Sequence, residues 1–225
     1  MKKFIVLALV AVMAAPAVSF AQKTTVQKVT RNKTFATTFR DVSIWYQGEV
    51  NLGYAVSGKM YDVEDNFKWK TNFSRPFIET THGVRVTQYG YLGLGLGLQY
   101  AGGKILPDYK YDKDEIAGWR TLLMPIYVNL KGYYPVTDDL SPYITLSLGG
   151  SPVLTSSLNY REPGYWEGLT GGFYCKFGAG ISWRMLTFDF GVMHQGLHET
   201  LKEDGEVERY PMRINSFYLN VGFKF

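Results

Sequence analysis

The sequence predicts an all-β fold: an eight-stranded antiparallel up-and-down transmembrane β-barrel. Three observations predict it. First, the last nine residues alternate strictly. Phe217, Leu219, Val221, Phe223 and Phe225 are apolar, while Tyr218, Asn220, Gly222 and Lys224 between them are polar or small. A period of two marks a strand with one apolar face and one wet face. Second, seven upstream segments carry related patterns. Third, the connections between them run long, short, long, medium, long, short, long. Outer-membrane barrels have an even strand count, long outer loops and short periplasmic turns.

The N-terminus precedes the barrel. Lys2 and Lys3 begin a charged start, Phe4 to Ala15 is an apolar run, and Ser19-Phe20-Ala21 places small residues where a signal peptidase reads. Residues 1–21 therefore read as a secretory signal peptide cut before Gln22. The run is too short for a transmembrane helix. No cysteine sits at the cleavage point, which argues against a lipid anchor. Residues 22–44, polar and threonine-rich, read as a periplasmic lead-in. Residues 45–225 form the barrel, one domain in size.

Cleavage removes two lysines and no acid, so the formal charge falls from +4 to +2. That is too weak a charge to suggest nucleic acid. No later segment offers about 20 continuous apolar residues, which leaves strands as the means of crossing. Cys175 is the one cysteine, so no internal disulfide framework is possible. Aromatics make up 16% of the chain and glycines number 24. An exported chain of this composition suits an outer-membrane barrel.

The strands follow in order. The first, Trp45 to Val56, sets Tyr46, Val50, Leu52 and Tyr54 against Gln47, Glu49 and Asn51. A long loop over 58–74 leads to a second strand, Phe77 to Val86, less cleanly patterned. Thr87-Gln88-Tyr89 is a tight turn. The third strand, Gly90 to Tyr100, has leucine at 92, 94, 96 and 98 and glycine at 93, 95 and 97. After a loop over 102–118 comes the fourth, Arg120 to Lys131. Pro125 lacks an N–H there and predicts a bulge. A turn over 132–141 leads to the fifth, Pro142 to Gly150. The loop 152–170 leads to the sixth, Gly172 to Trp183. Arg184-Met185 is a very short turn. The seventh, Leu186 to Gln195, is separated by a charged loop over 196–211 from the eighth, Met212 to Phe225. Aromatics gather at strand ends, where headgroups favour amphipathic rings. Trp45, Tyr46, Tyr89, Tyr91, Tyr133, Tyr134, Tyr143, Trp183, Phe223 and Phe225 fall near the periplasmic side, and Tyr54, Tyr100 and Trp119 near the other.

Alternation alone does not say which face is outside, because a soluble barrel inverts it. The side chains decide. The apolar face carries the larger residues. The other carries glycines with Glu49, Arg85, Lys176, Asp189 and Lys224. A narrow interior takes glycines beside a few long polar chains, but not two crowded layers of aromatics. A slip of one residue would put Lys176 into lipid, at a cost of about 2–4 kcal/mol near the midplane. The enclosed ionic groups are expected to pair and fill the lumen, leaving no open pore.

Tyr46–Tyr54 (YQGEVNLGY), Thr81–Val86 (THGVRV), Tyr91–Leu98 (YLGLGLGL) and Met124–Leu130 (MPIYVNL) together resemble the small porin-like outer-membrane β-barrel proteins of Bacteroides-type bacteria. The resemblance runs from about Trp45 to Phe225. It implies an eight-stranded barrel, an outer-membrane location and a C-terminal strand, ending in Phe225, that the barrel-assembly machinery reads. It brings no catalytic residues, and "porin-like" implies no transport by itself.

No motif carries chemistry. Gly93-Leu-Gly-Leu-Gly97 lacks the dinucleotide-loop spacing and a following helix, so it reads as a lumen-lining glycine ladder. Asp108, Asp112, Asp114 and Glu115 lack the EF-hand spacing and are neutralised by Lys104, Lys110 and Lys113. Glu199, Glu203, Asp204, Glu206 and Glu208 read as a solvated loop, though divalent ions bridging nearby lipopolysaccharide are conceivable. His194 and His198 fall near the outer rim, where some small barrels place lipid-modifying chemistry. No serine motif accompanies them, and a hydrogen-bonded rim histidine is the simpler reading. Cys175 faces outward as a small apolar group. Tyr61, Phe67, Trp69, Phe73, Tyr109, Tyr111, Tyr160, Tyr165 and Trp166 decorate the loops and suit either a binding surface or rim packing.

The reading is thus a non-enzymatic envelope barrel with no cofactor and no catalytic or metal site. Its partners are outer-membrane lipids and lipopolysaccharide, with a structural or surface-interaction role through four loops. A narrow solute channel and a rim lipid-modifying enzyme are the alternatives.

Overall fold

The structure is a computed structural model that describes residues 43–56, 60–62, 68–106, 118–157, 160–162, 165–203 and 206–225. The expected signal peptide and nearly all of the lead-in, through residue 42, lie outside these.

The described strand segments are β1 (Ile44–Val56), β2 (Met60–Asp62), β3 (Lys68–Val86), β4 (Gly90–Leu106), β5 (Gly118–Leu123), β6 (Ile126–Tyr133), β7 (Leu140–Ser151), β8 (Val153–Ser156), β9 (Tyr160–Glu162), β10 (Tyr165–Trp183), β11 (Leu186–Glu203) and β12 (Glu206–Lys224). They make a closed eight-stranded antiparallel barrel. β5 with β6, and β7 with β8, are each two lengths of one spanning strand. The circuit runs β1, β3, β4, β5/β6, β7/β8, β10, β11, β12 and back to β1. β1 closes it, pairing with β3 from Ile44↔Val86 to Val56↔Ser74 and with β12 from Glu49↔Lys224 to Val56↔Phe217. Closure leaves no sheet edge, the condition for strands in lipid.

The three short turns sit at one end together with the start of β1 and the end of β12. Two of them carry left-handed backbone at non-glycine residues, Thr87 (φ 57°) and Arg184 (φ 52°). The Thr87 hydroxyl accepts from the Tyr89 N–H at 3.3 Å, which holds the bend. The third turn is tied to the last: the Arg184 N–H donates to the Asp139 carbonyl at 2.8 Å, and its guanidinium reaches the Asp139 carboxylate at 3.2 Å.

Two expectations are corrected. The long loops are shorter than predicted, because the strands climb beyond the apolar run. β11 reaches Glu203 and β12 restarts at Glu206, with these two residues paired, so most of 196–211 is hairpin. A ladder needs only backbone partners once it leaves lipid, so the loss of apolar alternation does not end it. The second correction concerns Pro125. The strand does break there, between β5 and β6. The register against β4 continues unshifted, with Gln99↔Leu123 followed by Leu96↔Ile126. The slip lies next door, where β8 meets β5 between Leu122 and Leu123. Backbone bonds from the Met124 N–H to the Pro152 carbonyl (3.0 Å) and from the Gly97 N–H to the Pro125 carbonyl (2.9 Å) bridge the gap.

A further shift separates Gly171 from Tyr174 on β10. Below it, even-numbered residues such as Tyr174 and Lys176 face the lumen. Above it the parity flips, and Leu169 is buried instead.

Candidate functional site: the filled lumen

The predicted faces hold on every spanning strand. Leu94 is 70% exposed, Phe190 63% and Phe217 72%, whereas Glu49 and Glu79 are fully enclosed. Exposed leucine and phenylalanine ring the barrel as a continuous apolar band, far larger than the patches soluble monomers tolerate.

The lumen is built in layers from the short-turn end. Tyr91, Tyr133 and Tyr143 form the first. The Arg85 guanidinium stacks 4.0 Å from the centre of the Tyr133 ring and donates to Gln47 at 3.3 Å. Above lies Glu49, whose two carboxylate oxygens accept from Lys131 at 2.8 and 2.7 Å. Thr187 donates to it as well, at 3.2 Å. Asp189 accepts from the Tyr143 hydroxyl and from Asn220, both at 2.9 Å. The middle layer centres on Glu79, which accepts from Lys176, from Tyr174 at 2.9 Å and from Tyr127 at 3.1 Å. Phe77, Tyr174, Met193 and Tyr218 pack around it. The last layer is apolar: Ala101, Leu123, Leu169, Leu197 and Ile214 close the outer end.

Charged groups in so dry a place persist only when paired and hydrogen-bonded. Both lysine–carboxylate pairs meet that condition. The room left among Asn51, Thr81, Tyr127, Asn129, Lys131, Thr145, Lys176, Asp189 and Asn220 is a cavity of about 10 Å³, space for roughly one water.

The expected inward set, Glu49, Arg85, Lys176, Asp189 and Lys224, does face the interior. It is incomplete. Glu79, Lys131 and the wholly buried Arg75 belong to it and were missed. Glu79 and Arg75 lie on the strand whose alternation was least clear. Lys131 stood at a predicted strand end, although it continues the parity of Tyr127 and Asn129.

The placement of Tyr91, Tyr133 and Tyr143 at the headgroup level is overturned: all three are in the lumen. So is the expectation that the interior does not take two crowded layers of aromatics: Tyr91, Tyr133 and Tyr143 form one, and Phe77, Tyr127, Tyr174 and Tyr218 another. Glycines make the room. A Cβ on Gly95 would strike the Tyr127 ring, one on Gly93 the Tyr91 ring, and one on Gly53 the Phe77 ring. The ladder Gly93–Gly97 is therefore one wall of the aromatic packing. Trp45, Tyr46, Tyr89, Tyr134, Trp183 and Phe223 remain exposed at the turn end, as expected of an interfacial belt.

The outward polar groups are few. His82 Nδ1 lies 2.6 Å from the Tyr46 hydroxyl, and its Nε2 lies 2.9 Å from the Thr80 hydroxyl. His194 Nδ1 lies 2.7 Å from Asn215 Oδ1, and His198 Nδ1 lies 3.4 Å from the Gly171 carbonyl. Cys175 is a free, half-buried thiol. Among the described residues no three of His, Cys, Asp and Glu converge. Asp108, Asp112, Asp114, Glu115, Lys110, Lys113, Asp204, Phe67, Tyr109 and Tyr111 lie outside the described residues. Tyr61, Trp69, Phe73, Tyr160, Tyr165 and Trp166, expected in loops, lie on strands.

The comparisons agree with the geometry. The structure resembles the outer-membrane protein OprG of Pseudomonas aeruginosa with a TM-score of 0.51 at 11% identity, over 80% of this chain and 95% of that one. The fold is that of a small outer-membrane barrel. The protein AlkL, solved in lipid bilayers, aligns at 0.48 and 12% identity over 87% of this chain and 96% of that one. No family model and no curated protein matches the sequence.

Proposed function

We propose that the protein is exported by its signal peptide, inserted in the outer membrane and held there as a closed barrel. It passes no solute and catalyses no reaction. Its work is structural or adhesive and is carried by the hairpins above the membrane. Lipids and lipopolysaccharide cover its band, and the strand ending in Phe225 is the part read by the assembly machinery. A place among the porin-like barrels of Bacteroides-type bacteria fits the strand motifs.

One observation carries this reading: the lumen is blocked by packed, paired side chains from its tyrosine layer to its apolar cap. An interior of eight strands is just wide enough for side chains to fill. Opening a path would mean separating Glu49 from Lys131 and Glu79 from Lys176, each at a cost of several kcal/mol. The decisive measurement is single-channel recording of the folded protein in planar bilayers. The expected trace is flat, without long-lived uniform steps; steady large steps would establish the channel reading instead. Lipid A mass profiles with and without the protein test the rim-enzyme alternative, and unchanged profiles are expected.

A further inference from the structure

The charges of the lumen do not all cancel. Glu49 is held by Lys131 and Glu79 by Lys176. Asp189 accepts from neutral partners, Tyr143 and Asn220, through its Oδ2 alone, and its Oδ1 has no partner among the described residues. Arg75 has no such arrangement. It is wholly buried and faces inward from β3, on the same side as Phe77 and Glu79. Its guanidinium donates to one side chain, the Ser216 hydroxyl on β12. Its Nε and Nη1 donors have no partner among the described residues. Ser216 stands four residues above Asn220 on β12, roughly 13 Å along the strand, so Asp189 is not within pairing reach.

Among the described residues, the groups that bond across this layer are polar and neutral. Gln99 donates across the lumen to the Met193 sulfur at 3.8 Å, and Met193 is the β11 residue paired with Ser216. The Oε1 atoms of Gln99 and Gln195 are also buried and have no partner among the described residues. Over this layer sits the apolar cap of Leu123, Leu169, Leu197 and Ile214, which cuts it off from the outer solvent. A guanidinium does not escape by losing its proton. A buried cation with free donors requires a counter-charge.

We propose that the layer at Arg75 is an internal anion site that takes a small inorganic anion of the chloride class. The anion accepts from Arg75 Nη1, water takes the Nε donor on the other edge of the guanidinium, and water shared with Gln99 and Gln195 completes the shell. The site is a structural one, a counter-ion enclosed during folding, and it does not depend on whether the barrel conducts.

The test uses the full chain folded in a non-ionic detergent. Unfolding is followed while sodium chloride replaces sodium gluconate at constant ionic strength, gluconate being too large to enter. The expected result is a saturable rise in the unfolding midpoint with chloride and with bromide. Arg75→Met removes that rise, while Arg184→Met, at an exposed turn, keeps it. An identical midpoint in the two salts, or a chloride response retained by Arg75→Met, overturns the proposal. Should Arg75→Met fail to fold, crystals of the unaltered protein grown in bromide still decide. An anomalous peak within hydrogen-bonding distance of Arg75 supports the site, and a map with no peak there overturns it.

Discussion

Glu79 shows how much a single lumen residue carries. It accepts a lysine and two tyrosine hydroxyls at the middle of the barrel. Glu79→Gln leaves the Lys176 ammonium buried without its counter-charge. The expected loss is about 3–5 kcal/mol of unfolding free energy, read from urea titrations of the vesicle-folded protein. Glu79→Gln combined with Lys176→Met removes both charges and is expected to recover most of the loss. A double variant as weak as the single one would show that the pair is not the unit. Lys176 was legible from the strict alternation of β10. Glu79 was not, because Thr80 and His82 interrupt the apolar face of β3 with polar groups. Those two lie 2.9 Å apart, and β1 supplies their other partners, the Tyr46 hydroxyl for His82 and the Glu49 carbonyl for Thr80. A polar pair satisfied by its neighbouring strand looks, in sequence, like a broken pattern.

At the scale of elements, the turns hold the strain. Thr87 is β-branched and sits at φ 57°, a region that costs an L-residue about 1–2 kcal/mol. Its hydroxyl partly offsets this by capping the Tyr89 N–H. Thr87→Asn keeps an acceptor in a residue that tolerates the left-handed region. It is expected to raise the unfolding free energy by about 1 kcal/mol, with an unchanged circular dichroism spectrum. The position of this turn was readable because Val84 and Val86 alternate with Gly83 and Arg85 just before it and the clean leucine–glycine alternation of β4 begins just after it. The extent of the outer hairpins was not. Glu203 and Glu206 pair although both are acidic, and neither belongs to an apolar face. The hidden signal was the dipeptide Asp204-Gly205 between them, a strong two-residue hairpin marker. The shift on β10 was equally hidden. It can be inferred only from Leu169 and Tyr174, which have opposite parity and yet both face inward.

For the whole molecule, the question is which solvent the barrel was built for. Alternation fixed two faces, and bulk decided their direction. Most leucines and phenylalanines went out, Leu123, Leu169, Leu197 and Phe77 excepted, and Tyr91, Tyr127, Tyr143 and Tyr218 went in beside glycines. That last rule is three-dimensional, since Tyr127 and Gly95 meet across strands and share no local motif. The outward band yields a test that separates lipid from water. Leu94 is 70% exposed and lies four residues from the turn end of β4, roughly 13 Å along the strand. In water, Leu94→Arg on an exposed face changes stability little. Near the middle of a bilayer it is expected to cost about 2–4 kcal/mol. Gln88→Arg, exposed in the turn, is the matched control and is expected to cost no more than about 0.5 kcal/mol. Both variants are folded into phosphatidylcholine vesicles and unfolded reversibly in guanidinium. Equal free energies for the two would mean that the band does not face hydrocarbon, and the membrane assignment would fall with it.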